Sequence, residues 1–173
     1  MGFGTVIATG ISIVLLIVTA YAVIMGFSAA MDTMTYSMKD IQNLKNDQIK
    51  TDVALSEIST NGHEITFQIT NTGNTKILNL SMSDIIFTFN RTKNDTVKTS
   101  YWMPYRTSLA GSEDAWTKES IANDMINPGI LDPGETMSCK AYLLDETWPG
   151  SLGWISFTAQ NGASASAYFN VTL

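Results

Sequence analysis

Apolar residues fill nearly every position from Phe3 to Met31, then thin to every third or fourth position until about Lys50, after which their spacing falls to two. The first stretch predicts a membrane span. Crossing a bilayer takes roughly 20 apolar residues, and Val6–Phe27 supplies them with only small polar interruptions. Beyond it, Met31, Met34, Met38, Ile41, Leu44 and Gln48 recur at helical steps, with Lys39, Asp40, Lys45 and Asp47 between them. That is an amphipathic helix continuing the apolar one. No proline or glycine falls between residues 27 and 61, so the pattern predicts a single helix from about Phe3 to about Lys50, roughly 70 Å long at the helical rise. The stripe Met31–Met34–Met38–Ile41–Leu44 calls for a packing partner, either a second copy of the chain or the domain that follows. Small residues recur in the apolar run (Gly4, Ala8, Gly10, Ser12, Ala20, Gly26), and in lipid these permit close helix–helix approach.

After Lys50 the alternation is that of strands. Ile65, Phe67 and Ile69 alternate with polar neighbours, as do Ile85, Phe87 and Phe89; Met137, Cys139, Ala141 and Leu143; Ile155, Phe157 and Ala159; and Ala165, Ala167, Phe169, Val171 and Leu173. Each reads as a strand with one buried face. Weaker strands are expected near Asp52–Ser59, Lys98–Met103 and Ala115–Lys118. Asn61-Gly62 and Asn161-Gly162 predict type I′ hairpins; Thr72-Gly73-Asn74, Pro128-Gly129 and Pro133-Gly134 predict further turns. Seven or eight short strands at this spacing predict an immunoglobulin-like antiparallel β-sandwich. The organisation is therefore a transmembrane helix over 1–31, an amphipathic helical stalk over 32–50 and a β-sandwich domain over 51–173.

Charge sharpens this picture. No charged side chain precedes Asp32, and charges balance from there to Lys50, so the net charge of −6 belongs to the β-domain. An acidic domain without a basic cluster excludes nucleic-acid binding as its purpose. A cleaved secretory signal fits less well than an anchor, because no basic residue precedes the run and the run outlasts a signal's apolar segment. With one cysteine, Cys139, there is no intrachain disulfide. Four Asn-x-Ser/Thr sequons, at Asn79, Asn90, Asn94 and Asn170, lie in expected loops or on outward strand positions. They are candidate glycosylation sites and place the β-domain outside the cell membrane.

No catalytic constellation emerges. The single histidine, His63, sits beside a turn, and Cys139 falls on an inward strand phase where it packs as a small hydrophobe. Carboxylates at Asp124, Asp132, Glu135, Asp145 and Glu146 gather in loops without a calcium-loop pattern, so a solvated acidic surface is expected. No cofactor or metal is expected. The aromatics are more suggestive. Tyr101, Trp102, Tyr105 and Trp116 fall within sixteen residues. Alternation sends Tyr101 and Trp102 to opposite faces, so one of them is a candidate protein-binding anchor.

A Met-Gly-Phe-Gly start leads into the uncharged helix. Asn71–Lys76, Asp84-Ile85-Ile86-Phe87, Tyr101-Trp102-Met103-Pro104-Tyr105, a Trp116-containing strand and Asn127–Glu135 follow in that order. In this order of elements the chain resembles archaellum accessory proteins of the FlaF/FlaG (ArlF/ArlG) type, FlaF most of all. The resemblance implies a non-enzymatic, membrane-anchored β-sandwich outside the cell membrane of an archaeon, a static part of the archaellum that binds the surface-layer protein and other archaellum proteins. The alternative is a filament-forming subunit, archaellin or type IV pilin-like, whose N-terminal helices bundle into a filament core. Gly2-Phe3-Gly4-Thr5 resembles an archaellin's mature start.

Overall fold

The computed structural model describes residues 2–91 and 98–172. Helix α1 spans Phe3–Lys50, 48 residues without a break and with no buried residue. It is the one helix among the described residues that is long and apolar enough to cross a membrane. Four hydroxyl side chains of the apolar run bond back to carbonyls of its own backbone. Thr9, Ser12 and Thr19 donate to the carbonyl four residues earlier and Thr5 to that of Gly2. None of them carries an unpaired donor into lipid, where each unsatisfied polar group costs several kcal/mol.

The chain divides into two compact units, Met1–Leu44 and Lys45–Leu173. The second unit opens with the last turn of α1. There Gln48 Nε2 donates to the Gly162 carbonyl at 3.1 Å, and buried Thr51 accepts from Asn161 Nδ2 at 2.6 Å.

Eight strands follow: β1 (Val53–Asn61), β2 (Glu64–Asn71), β3 (Asp84–Phe89), β4 (Thr99–Met103), β5 (Ala115–Ala122), β6 (Thr136–Tyr142), β7 (Leu152–Thr158) and β8 (Ser164–Asn170). They form two four-stranded sheets, ordered β1-β2-β6-β5 and β4-β3-β7-β8. All strand pairs are antiparallel. This is the expected sandwich, and the inward residues read from alternation form its core. Ile65, Phe67 and Ile69 face Ile85, Phe87, Phe89, Ile155 and Phe157, all buried. Phe67 meets Phe87 edge-on at 5.9 Å, and Phe87 meets Phe169 likewise at 6.3 Å.

Several local expectations are corrected. The β1–β2 loop consists of Gly62 and His63, since Asn61 pairs with Glu64. Only Gly62 has positive φ (63°), the pattern of a type II′ turn, whereas type I′ needs positive φ at both central residues. The β7–β8 loop has three residues, Gln160–Gly162, because Ala159 N–H donates to the Ala163 carbonyl. Gly162 at φ 82° takes the left-handed position of such loops. The last strand ends at Asn170, although Val171 remains buried; Leu173 lies outside the described residues. Pro128-Gly129 and Pro133-Gly134 are type II turns. Ile130 N–H donates to Asn127 O, Glu135 N–H to Asp132 O, and both glycines have positive φ (91° and 84°).

The Asn71–Lys76 segment has a specific task. Asn71 is fully buried, and its Nδ2 donates to the Thr75 and Leu131 carbonyls at 2.9 and 3.0 Å. Its Oδ1 accepts from Gly73 N–H. The turn so shaped sends Asn74 N–H to the Lys50 carbonyl at 2.8 Å and Thr72 and Gly73 N–H to the Asp52 carbonyl. It thereby satisfies carbonyls that a helix end leaves unpaired. Gly73 lies so close to this segment that a Cβ there would stand 2.6 Å from the Lys50 oxygen.

Candidate functional site

The four candidate aromatics separate into different environments. On β4, Tyr101 and Trp102 point to opposite faces. Tyr101 is half-buried, stacked on Phe89 at 5.3 Å, and its hydroxyl donates to Asp145. Burial, together with that carboxylate, pushes the Tyr101 phenol up to about 12. The same hydrogen bond, with Arg91 at 3.3 Å, holds the Asp145 carboxyl below its usual range. Tyr105 is half-buried and packs edge-on against Trp116 at 4.9 Å. Trp116 itself is 0% exposed and meets Phe157 edge-on. Its inclusion as a contact residue is corrected: the inward phase of β5 makes it the largest side chain of the core. Trp102 is left as the accessible candidate of the four, 60% exposed, with Nε1 donating to Asp84 at 2.9 Å.

Trp102 belongs to a broader surface. Register places Trp102, Ile86, Ser156 and Ser166 in one row across the outer face of β4-β3-β7-β8. The next row holds Ser100, Thr88, Trp154 and Tyr168. Leu152 pairs with Asn170 beyond it. Among the described residues, charge on this face occurs at opposite ends, in Asp84 and in Lys98, whose Nζ reaches the Leu152 carbonyl. The rest is hydroxyl, aromatic and aliphatic, the mixture that adaptable protein-binding surfaces use. The outer face of the other sheet is different in kind. It carries the Glu64–Lys140 ion pair at 2.8 Å, Glu57 bonded to Gln68, and an open cavity of about 430 Å³ lined by Glu64, Lys140, Glu119 and Tyr142. Reasoning from the sequence did not gather Ile86, Trp154 and Tyr168 into the candidate set, because each is flanked along the chain by inward-facing apolar residues or glycine and belongs to a different strand. The available signal was phase: each occupies the outward position of its strand.

The remaining candidates have local partners. His63 Nδ1 lies 3.0 Å from the Leu143 carbonyl, and its ring stacks on Tyr142. Cys139 is buried, which pushes its thiol well up and leaves it unreactive. Asp124 accepts from Gly129 N–H, Asp132 from Asn127 Nδ2, and Glu135 from Asp132 N–H. These carboxylates shape loops, and among the described residues no three His, Cys, Asp or Glu side chains gather to hold a metal. Of the helix stripe, Met31, Met34, Met38, Ile41 and Leu44 are all more than half exposed. Among the sequons, Asn79 and Asn170 are exposed, Asn90 is half-buried, and Asn94 lies outside the described residues.

Comparison with known proteins places these features in context. A family model described as archaeal-type flagellin matches residues 2–169. An uncharacterised protein of Archaeoglobus fulgidus is 27% identical over 143 residues, 82% of this chain and 81% of that one. The structure is similar to the archaellum periplasmic stator protein FlaG from Sulfolobus acidocaldarius, with TM-score 0.50 and 22% identity over 69% of this chain and 99% of that one. It is also similar to the archaeal flagellum of Methanospirillum hungatei strain JF1, with TM-score 0.61 and 13% identity over 96% and 93%. Flagellin FlaB1 from Methanocaldococcus jannaschii aligns with TM-score 0.51 and 12% identity over 70% and 90%.

Proposed function

The chain belongs to the archaeal-type flagellin family, and we propose that within the archaellum it is a static, non-enzymatic anchor. Its apolar helix sits in the cell membrane. Its β-domain lies outside and binds the surface-layer protein, alongside other archaellum proteins. The observation that carries this is the charge-poor outer face of β4-β3-β7-β8, with Trp102 60% exposed at its edge strand. A desolvated aromatic anchor contributes roughly 2 kcal/mol or more to a protein interface. A sheet face of this composition, on a domain with net charge −6, binds by contact area and hydroxyl hydrogen bonding rather than by charge.

One observation favours a second reading, a filament subunit. The stripe Met31–Leu44 is exposed along its whole length, as a helix destined for a bundle would be. Both readings are tested on the full chain purified from membranes. Under the anchor reading it binds purified surface-layer protein, and Trp102→Ala weakens that binding about 30-fold, the equivalent of about 2 kcal/mol, with an unchanged circular dichroism spectrum. Assembly into fibres visible by electron microscopy, with no binding to the surface-layer protein, overturns the anchor in favour of the filament.

A further inference from the structure

The sheets end in β1 and β5 on one side of the sandwich's pairing scheme and in β4 and β8 on the other, and only β4 is left unguarded among the described residues. The register of β1 breaks between Ser56 and Ser59, with Glu57 at φ 49°, and that of β5 breaks between Lys118 and Ser120, where Glu119 stands. Bulges and charges of this kind keep an edge from pairing with another chain. The start of β5 is also covered, since Arg106 N–H donates to the Trp116 carbonyl and Trp116 N–H to that of Pro104. β8 lies against β1, where Thr172 bonds to Thr60 through its N–H and its hydroxyl. In β4 the register with β3 is unbroken from Thr99 to Met103, and the strand contains no charge, proline or glycine.

Hydrogen bonding within the sheet sets which groups of β4 face outward. Val171 N–H donates to the Ser151 carbonyl and Ala159 N–H to that of Ala163. Residue pairs of an antiparallel ladder alternate between bonded and non-bonded, so odd-numbered residues of β7 bond to β8 and even-numbered ones to β3. Carried one strand further, Ile85, Phe87 and Phe89 bond to Met103, Tyr101 and Thr99. The N–H and C=O of Ser100 and Trp102 therefore point away from the sheet. Both residues are exposed, and among the described residues neither has another backbone partner. Trp102 thus offers an indole, a donor and an acceptor at one place.

We propose that β4 is completed by strand addition: an extended segment of the protein partner pairs antiparallel with Thr99–Met103, bonding to the backbone of Ser100 and Trp102 and laying its outward side chains beside the Trp102 indole. Strand addition deepens the anchor reading and rests on it, the segment being part of the surface-layer protein. Main-chain hydrogen bonds supply the affinity of such pairing, and alternate side chains supply its specificity. The segment that fits is uncharged over about five residues and rich in Thr, Val or Ile. Lys98 stands one residue before β4 with its Nζ on a neutral carbonyl, that of Leu152. An Asp or Glu closing the C-terminal end of the added segment meets that charge. A second copy fits poorly. The α1 junction lies at the Met103 end of β4, where Gln48 reaches Gly162. Two β4 strands paired antiparallel put the two junctions at opposite ends of the joined sheet, whereas two anchors enter one membrane from the same side.

The test uses the full chain in detergent with purified surface-layer protein, which the parent should bind. Ser100→Pro removes an N–H that no strand of the domain uses. Its Tm should stay within about 2 °C of the parent, while binding weakens about 10-fold or more. Ser100→Ala keeps the N–H and should bind as the parent does. Residue-resolved hydrogen exchange on the parent is a readout independent of the variants. The Ser100 and Trp102 amides should exchange fast in the free chain and slowly in the complex, and those of Tyr101 and Met103 slowly in both. Binding that survives Ser100→Pro in a folded chain, or a complex in which both amides stay fast, overturns strand addition and leaves the anchor reading standing. No binding by the parent overturns the anchor reading, and strand addition falls with it. Dimers of the full chain that Ser100→Pro dissociates would assign the edge to a second copy and overturn the proposal as well.

Discussion

Gly153 stands on the inward phase of β7, directly opposite Phe169 of β8. A Cβ at this position would lie 2.7 and 2.8 Å from Phe169 Cε2 and Cε1, against an ordinary contact of 3.4 Å or more. Gly153→Ala therefore forces the ring to retreat by about 0.6 Å or more, on the same contact scale. Retreat is obstructed, because Phe169 packs edge-on against Phe87, which packs edge-on against Phe67. Overpacking a close-packed core costs about 1–3 kcal/mol, which in a domain of this size lowers Tm by roughly 4–12 °C. The assay is thermal and urea unfolding of a soluble form beginning at Lys45, followed by circular dichroism. A double-mutant cycle isolates the cause. Phe169→Leu alone should destabilise by about 1–2 kcal/mol. In the Gly153→Ala background it should cost less, with a coupling of about 1 kcal/mol. A Gly153→Ala protein within about 0.5 kcal/mol of the parent, or an additive cycle, would refute the claim that a glycine is needed beneath the ring.

Asn71→Ala should destabilise the same form by about 2–4 kcal/mol, because it leaves the Thr75 and Leu131 carbonyls and the Gly73 N–H without their side-chain partner in a buried site; unfolding in urea measures it. Tyr101 has its folded pKa raised to about 12 from 10.0. Its contribution is therefore complete below pH 10 and is lost as pH rises toward 12, so Tyr101→Phe should flatten the fall in Tm across that window. Asp145 is depressed, chiefly by the Tyr101 hydroxyl, so its contribution is present above the ordinary carboxylate range and lost on acidification; the same variant should reduce that acid loss. Cys139, buried and with its thiol pKa raised, should react with a thiol reagent such as dithionitrobenzoate only after denaturation, and rapid labelling of the native domain would contradict its placement.

The sequence was most legible where one periodicity persisted. The change from period 3.6 to period 2 at Lys50 located the end of α1, and alternation identified the inward residues of β2, β3, β6 and β7. It was least legible where a residue's role depends on a distant partner. Gly62 and Gly162 announced turns, but their types follow from register and loop length, which pairing across the sheet decides. Asn71 read as turn chemistry, yet its three hydrogen bonds include a carbonyl sixty positions away. The same holds for the aromatics. Their crowding between Tyr101 and Trp116 suggested a common surface, but the connection from β4 crosses to the other sheet, where Pro104 and Arg106 bond the backbone of Trp116 and carry it into the core. The face containing Trp102, Ile86, Trp154 and Tyr168 is assembled from four strands and has no signature in any one of them.

The exposed stripe constrains both functional readings. Under the anchor reading, lipid solvates the apolar run from Phe3 onward without any protein partner. A span of roughly 20 residues is complete before the first charge, Asp32. Met34, Met38, Ile41 and Leu44 follow that charge, each more than half exposed, and under the anchor reading they stand above the membrane in water. Covering such side chains contributes roughly 1 kcal/mol or more apiece, since full burial of a large aliphatic side chain is worth about 1.5–3 kcal/mol. A lone anchor would forgo all of it. A filament subunit gains it from neighbouring copies, and an anchor gains it only by pairing its stalk with a second helix. The anchor reading therefore entails association through residues 31–44 as well as binding through the sheet face. Replacing Met38 and Ile41 by Ser should dissociate the full chain in detergent while leaving its binding to surface-layer protein per β-domain unchanged. Loss of both together would mean that one surface serves both ends, which the separation of the stripe from β4-β3-β7-β8 along the sequence does not support.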